Sequence, residues 1–263
     1  MLFRSLFLNQ TTGNLLIADE QNLKKIYQAW SPWGSPILFH AEDEKVGLVI
    51  KMVKNYGKRT NICHISSRQE LEYVIQAKHD GLPVTCGVTP HHLFLTEKDV
   101  KRLGAFALMK PTLKTEKDQE FLWKNFHYFY VVESDHAPHT REEKKSAKPP
   151  FGVPGLETTL PLLLQAQVEG RISLAQILNL CYYNPIRIFN IPVDKETRIE
   201  IDLKKYTIND EDLKTKCSWS PFAGWQVRGK VRRVFIREKK VFENGRILVK
   251  RGFGNVIVSQ KAA

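Results

Sequence analysis

Short apolar runs recur along the first two thirds of the chain, at 5–9, 36–40, 60–65, 83–88 and 126–132, the last broken only by His127. Each has the length and boundaries of a strand. The stretches between and after them fit helices at 42–56, 68–79, 116–125, 156–169 and 173–181, with Ser173 placed to cap the last. Strands alternating with helices predict a parallel sheet, in which all carboxyl ends lie on one face. Pro192 closes this region, and from Arg198 the pattern changes to alternation at 198–202, 227–235 and 240–249. Asn244-Gly245 is a hairpin signal between two of these runs. The expected organisation is therefore an α/β segment at 1–192 and a small β module at 193–263, without internal repeats.

The polar residues that end these runs change the picture. Ser134-Asp135-His136-Ala137-Pro138-His139-Thr140 follows the last run, His40 ends the second before Ala41-Glu42, and His64 ends the third. An acid and imidazoles at the ends of buried strands are costly in a core. A cation would offset the carboxylate's desolvation, so a metal site accommodates them. One such histidine reads as a hydrogen-bonded core residue. Three successive strand ends point together to a metal or catalytic site on the face where α/β barrels carry theirs.

Composition narrows the class. The 263 residues, 42% hydrophobic, suffice for one barrel-sized domain or two smaller ones. No run reaches the roughly 18 apolar residues of a membrane span, and the apolar stretch 1–8 is too short for a signal peptide. Cys63, Cys86, Cys181 and Cys217 form no C-x-x-C pair, which points to a reducing, cytoplasmic setting. Cys63, beside His64, is itself placed to touch a metal. The net charge of +12 is densest at Lys144, Lys145 and Lys148 and at Arg228, Lys230, Arg232 and Arg233. No RRM, zinc-finger or KH signature accompanies it. A solvated basic face that gathers an anionic substrate explains the charge without nucleic acid.

His40-Ala-Glu42, Cys63-His64, Thr89-Pro-His-His-Leu-Phe-Leu95, Ser134 to Thr140 and Pro150-Phe-Gly-Val-Pro-Gly-Leu-Glu-Thr158 together resemble dihydroorotase, a cyclic amidohydrolase. The likeness runs from Leu6 to about Asn255 and is nearest to dihydroorotase domains of multifunctional pyrimidine-synthesis enzymes. It implies a metal-dependent hydrolase built on a (β/α)8 TIM-type barrel. The five strand candidates correspond to strands four to eight, so the barrel is expected to be incomplete. The family's first strand carries a His-x-His pair that is absent from this sequence, and its fourth carries a bridging carbamylated lysine whose place falls at Ser5. Serine cannot form the carbamate. An N-terminally truncated enzyme is the expectation, with a reduced, non-catalytic scaffold domain as the alternative and an allantoinase- or hydantoinase-type enzyme as another.

By the same resemblance, the reaction is the reversible hydrolysis of (S)-dihydroorotate to N-carbamoyl-L-aspartate in pyrimidine biosynthesis. Two zinc ions serve an intact site, and at most one is expected here. His40 and His64 would bind one metal. Asp135 would bind the other and act as general base, with His136 orienting it. His139 would take the substrate carboxylate and the backbone at Phe151-Gly152 the ring amide. Lys110 stands where the nearest relatives have an arginine, and Gly87 where some have a glutamate that helps hold a third zinc. His91 and His92 are expected as loop-packing residues, His79 and His127 as structural ones. The implied partners are the small-molecule substrate and a homodimer or pyrimidine-enzyme complex, with no membrane or nucleic acid.

Overall fold

The structure is a computed structural model that describes residues 5–11, 16–17, 19–30, 35–193 and 196–256. Positions 1–4 of the apolar stretch 1–8 and 257–263 of the second segment lie outside the described residues. Helices follow strands in the expected alternation: β1 (Ser5–Phe7), α1 (Glu20–Ala29), β2 (Ile37–His40), α2 (Glu44–Tyr56), β3 (Thr60–Ile62), α3 (Arg68–His79) and β4 (Val84–Val88). After them come α4 (Pro90–Phe94), α5 (Glu97–Leu103), α6 (Glu116–Lys124) and β5 (Val131–Val132). The five strands form one sheet in the order β1-β2-β3-β4-β5, and every pairing is parallel. The carboxyl ends therefore meet along one edge, as the alternation requires.

Helix α1 was not legible in the pattern, because only Leu23 and Tyr27, one turn apart, are buried from it. Asp19 caps it, accepting from the Asn22 amide at 2.6 Å. Tyr27 earns its burial with a hydroxyl contact to Thr60 Oγ1 at 3.1 Å and a stacked ring on Phe39, 5.8 Å between centroids. Phe39, Ile37, Ile62, Val49, Met52 and Leu71 close the layer between the sheet and α2 and α3.

The run 126–132 is a strand only at its end. Phe126–Tyr128 is a 3-10 turn closed by Tyr128 N–H to Asn125 C=O at 3.0 Å. Its phenylalanine stacks on Trp123 at 5.5 Å. The aromatic rings bury best when the chain bends here, and the backbone satisfies itself locally, so only Val131 and Val132 pair with Gly87 and Val88.

Three helices follow: α7 (Arg141–Lys144), α8 (Leu156–Val168) and α9 (Leu174–Leu178). Ser173 caps α9 through a reciprocal box with Gln176, as expected. The helix does not stop at 181 but runs through a π-helical turn at Asn179–Tyr183 into α10 (Asn184–Phe189). Beyond it lie β6 (Arg198–Asp202), β7 (Tyr206–Thr207), β8 (Gln226–Val227), β9 (Lys230–Ile236), β10 (Lys239–Glu243) and β11 (Arg246–Ile247). β11-β10-β9-β6 is an antiparallel sheet, and β7 pairs with β8. The expected hairpin turn is present, with φ of 48° at Asn244 and 84° at Gly245.

The segment joining β7 to β8 interlocks with the α/β part. Ile208, Trp219, Phe222 and Val227 share a buried cluster with Leu95, Met109, Val153 and Leu162. Glu157, at the start of α8, accepts from the amides of Lys214 and Thr215. The basic alternation of 228–233 lies on β9 and its approach, where Arg233 is paired with Glu200 and Glu243 and Arg232 with Asp202. Among the described residues no helix is long and apolar enough to cross a membrane.

Gly229 marks how closely the two parts approach: φ is +92°, and a Cβ there would lie 2.3 Å from Leu164 Cδ1 on α8. Gly229→Ala should therefore lower stability by about 1–3 kcal/mol through overpacking and left-handed strain. Urea unfolding would show this as an earlier midpoint; an unmoved midpoint would contradict the contact.

Candidate functional site at the carboxyl edge of the parallel sheet

Strands β2 and β3 deliver His40 and His64 side by side, both nearly inaccessible to solvent. The loops that follow the strands are strained: Asp43, His64 and Asp135 have φ of 52°, 39° and 42°. Non-glycine residues adopt this region at a cost, and such positions concentrate at functional sites. His40 Nδ1 is 2.9 Å from His64 Nε2, and His40 Nε2 is 3.1 Å from Glu42 Oε1. Burial alone would raise Glu42, but the His40 hydrogen bond and the Lys110 and Lys114 charges hold it below the usual carboxylate range. A carboxylate only accepts, so His40 Nε2 donates to it. For a neutral His40 this makes Nδ1 the acceptor and His64 Nε2–H the donor. His64 Nδ1 is then a buried bare lone pair, and it has no hydrogen-bond partner among the described residues. Burial, reinforced by the neighbouring His40, keeps His64 well below the ordinary histidine range.

Glu70, on α3, holds the two histidine-bearing loops together. Its side chain is inaccessible and accepts from Asp43 N–H at 3.0 Å, Ser66 N–H at 2.6 Å, Ser66 Oγ–H at 3.0 Å and Ser67 N–H at 3.1 Å. Asp43 follows β2 and Ser66 follows β3, so one carboxylate spans both turns. Sequence reading missed it. The signal was Ser67-x-x-Glu70, a capping box at the start of α3, which the structure confirms.

Asp135 follows β5. Its burial raises it, and the proximity of His40 opposes that. Glu133, two residues earlier, is the second acid that sequence reading missed. It is pushed up to about 8, first by burial and then by Asp135, and its buried Oε1 has no hydrogen bond among the described residues. A Cβ on Gly87 would lie 1.7 Å from that Oε1. The space that a side chain at 87 would need is thus filled by a carboxyl from the next strand. Burial and Glu133 also push the Cys63 thiol well above its ordinary value, and Asn61 Nδ2 lies 3.8 Å from its sulfur.

A second group of residues stands beside the first. Lys110 Nζ is 4.0 Å from Glu42 and 5.4 Å from the centre of the Phe151 ring. His139 Nε2 is 3.1 Å from Phe151 C=O, and its Nδ1 is 3.4 Å from Glu143. Gly152 has φ of +127°, and a Cβ there would lie 2.4 Å from Ala137 C=O. Its missing side chain serves the approach of two backbone segments.

Other histidines take structural places. His92 bridges Thr89 Oγ1 and Pro111 C=O, and His91 packs edge-on against it. His79 meets the Tyr128 hydroxyl at 3.3 Å. His136 Nδ1 accepts from Gly155 N–H and Leu156 N–H, so it caps α8. The start of this helix lacks a side-chain cap of its own, and the imidazole satisfies its orphan amides.

The same contacts bear on whether these side chains could hold a metal ion. Both ring nitrogens of His40 are engaged, leaving only His64 Nδ1 from the pair. Among the described residues no group of three or more His, Cys, Asp and Glu is disposed to hold a metal ion. As arranged, these residues do not fit one.

No family model matches the chain. It is 41% identical over 251 residues to multifunctional protein pyr1-3 of Dictyostelium discoideum, a match that covers 95% of this chain and 11% of that protein. It is 39% identical to a dihydroorotase of Pyrococcus furiosus, over 80% of this chain and 51% of that protein. The chain thus spans about half of that dihydroorotase and is dihydroorotase-like along most of its own length. Among solved structures, L-hydantoinase (dihydropyrimidinase) of Arthrobacter aurescens superimposes with a TM-score of 0.89 at 24% identity, covering 96% of this chain and 67% of that one. The inactive dihydroorotase-like domain of a Chaetomium thermophilum CAD-like multifunctional protein superimposes with a TM-score of 0.75 at 26% identity, covering 92% and 68%. The fold is that of these amidohydrolase-type α/β proteins.

Two substitution experiments follow from the geometry. Glu70→Ala strands several buried N–H donors and should cost about 3 kcal/mol of unfolding free energy; a loss below about 0.5 kcal/mol would show the clamp to be incidental. Gly87→Ala should destabilise strongly alone and much less in a Glu133→Ala background, with a coupling of about 1–3 kcal/mol. Additive effects in that double-mutant cycle would separate the two positions.

Proposed function

We propose, from the premise that this stretch of sequence is dihydroorotase-like, that the carboxyl edge of its sheet is one part of a dihydroorotase-type active site. Its reaction would be the reversible ring opening of dihydroorotate to N-carbamoyl-L-aspartate in pyrimidine biosynthesis. The observation that carries this reading is the meeting of His40, His64 and Asp135 from the ends of β2, β3 and β5, with Lys110, His139 and Phe151-Gly152 alongside. On this reading β1 to β5 correspond to strands four to eight of a (β/α)8 barrel in residues 1–192, and 193–263 is an appended β module. The four cysteines are free thiols, in keeping with a cytoplasmic setting. The multifunctional relatives favour work in company with other pyrimidine-synthesis activities, as a complex or a homodimer.

The roles follow from chemistry. Asp135 acts as general base, taking a proton from the attacking water and passing it to the departing ring nitrogen; a carboxyl raised by burial is suited to both steps. Lys110 supplies positive charge for the substrate carboxylate, although lysine lacks the planar fork of arginine, and His139 would donate to it by exchanging Phe151 C=O for the substrate. By the family likeness the backbone at Phe151-Gly152 would take the ring amide; Gly152 N–H already donates to Leu108 C=O, and the Phe151 and Gly152 carbonyls, each facing one donor, keep a second lone pair. The zinc ions of the family would supply hydroxide near neutral pH and polarise the ring carbonyl when bound. As arranged, the described residues do not assemble a ligand group for one.

The occupied nitrogens of His40 also favour a second reading, a dihydroorotase-like domain that binds without turnover. Both readings predict that the chain by itself closes the ring of N-carbamoyl-L-aspartate no faster than background, with or without added zinc. Turnover near that of intact dihydroorotases would overturn the assignment of these residues. The readings separate when the chain is joined to a family segment carrying His-x-His and Ser5 is replaced by lysine. Activity should then appear and fall by about 10²–10⁴ in Asp135→Asn; a folded but inert product would favour the binding domain.

A further inference from the structure

Lys144 is the one described lysine with no exposed surface, although the run 144–148 reads from sequence as a solvated basic patch. It sits at the end of α7, and its ammonium points inward. Nζ donates to three backbone carbonyls: Leu108 at 3.1 Å, Pro150 at 2.9 Å and Gly152 at 3.0 Å. An ammonium has three protons and no acceptor capacity, so the three carbonyls satisfy it completely. The Trp219 ring lies 5.8 Å from Nζ and contributes its π face. Among the described residues no carboxylate pairs with Nζ. The acceptors come from two segments distant in sequence, the stretch leading to Lys110 and the loop carrying Phe151-Gly152.

The three bonds have a common geometric effect. Gly152 N–H reaches Leu108 C=O at 2.9 Å, so the two segments already touch, and the ammonium draws together three carbonyl oxygens that would otherwise repel. This contact sets Lys110 Nζ over the Phe151 ring and leaves Phe151 C=O facing His139. Trp219 Nε1–H to His139 C=O at 2.7 Å holds the opposite wall. We propose that Lys144 is a positioning residue, a buried ammonium clasp that fixes the Phe151-Gly152 loop against the Lys110 segment and so sets the spacing of the substrate-carboxylate and ring-amide contacts. The clasp itself stands on the geometry; its service to a substrate rests on the function proposed above. Burial pushes the ammonium down to about 8, so it still carries its third proton at neutral pH.

Amide hydrogen exchange on the full chain tests the clasp. Lys144→Met keeps the apolar stem and removes the donors, and should speed exchange at Gly152 N–H at least about tenfold. Ile65 N–H, which donates to Gly87 C=O in the sheet edge, should be unchanged. Lys144→Ala should behave alike and regain protection in millimolar n-propylammonium, which replaces the deleted atoms, but not in n-propanol. Unchanged exchange at Gly152, equal acceleration at both amides, or no rescue by the ammonium would overturn the proposal. Titration with N-carbamoyl-L-aspartate supplies the second arm, with about tenfold weaker binding expected in Lys144→Met and recovery with n-propylammonium in Lys144→Ala. If the unaltered chain does not bind this compound, the substrate reading fails while the exchange arm still decides the clasp.

Discussion

A charge taken out of water must be met by as many partners as it has sites, and the carboxyl edge of this sheet is organised around two that obey this. Glu70 brings a carboxylate between the turns after β2 and β3 and is met by four donors. Lys144 brings an ammonium between the Lys110 segment and the Phe151 loop and is met by three carbonyls. Each ties two loops that parallel strands place near one another but do not connect. Sheet pairing brings the strand ends to one edge, yet it cannot fix the irregular chain beyond them. A buried ion can, because an unmet donor or acceptor there costs far more than an exposed one. The first tie sets His40 against His64, the second Lys110 against Phe151.

Much of this was legible in the sequence, for a physical reason. The alternation of apolar runs and amphipathic stretches reflects burial between a sheet and its helices, so it revealed β1 to β4, the main helices and the shared edge. The run 126–132 misled because aromatic residues serve a turn as well as a strand: the rings of Phe126 and Trp123 stack only if the chain bends. Helix α1 escaped because two buried residues are too few for a periodic signal. Strand-end chemistry exposed His40, His64 and Asp135. Glu70 and Lys144 escaped because a charged residue in a helix reads as solvated until its surroundings are known. The capping box at Ser67 and the prolines near Lys144 were the only local hints.

Glu133 shows why a position can be misread even when the residue is noticed. Gly87 by itself suggested a carboxylate missing from the edge of β4. The adjacent strand places one in the same space, since Glu133 Oε1 lies where a Cβ at 87 would be. A glycine and an acid on neighbouring strands are thus one packing unit. Sequence shows both residues without showing that they are neighbours, because the register Gly87 to Val131 is a property of the sheet.

The hydrogen-bond chain Glu42–His40–His64 makes the site's chemistry conditional. Glu42 fixes the His40 proton, His40 fixes the His64 proton, and the end of the chain is a bare Nδ1 in a buried place. A buried lone pair without a donor is unfavourable, so the arrangement favours whatever supplies one, whether a metal, a proton donor or a residue from another segment. A cation meeting that nitrogen would still need ligands that the described residues do not assemble. For a metal to use His40 as well, the ring must give up either Glu42 or His64. Giving up Glu42 leaves that carboxylate with Lys110, 4.0 Å away, whereas giving up His64 opens the histidine pair. Glu70 governs how far it can open, because it holds the turns after β2 and β3 from which both rings are presented. Loading the site and keeping that clamp closed are therefore opposed, and a binding reading and a catalytic reading of this edge differ in whether an added ligand set is strong enough to separate the pair.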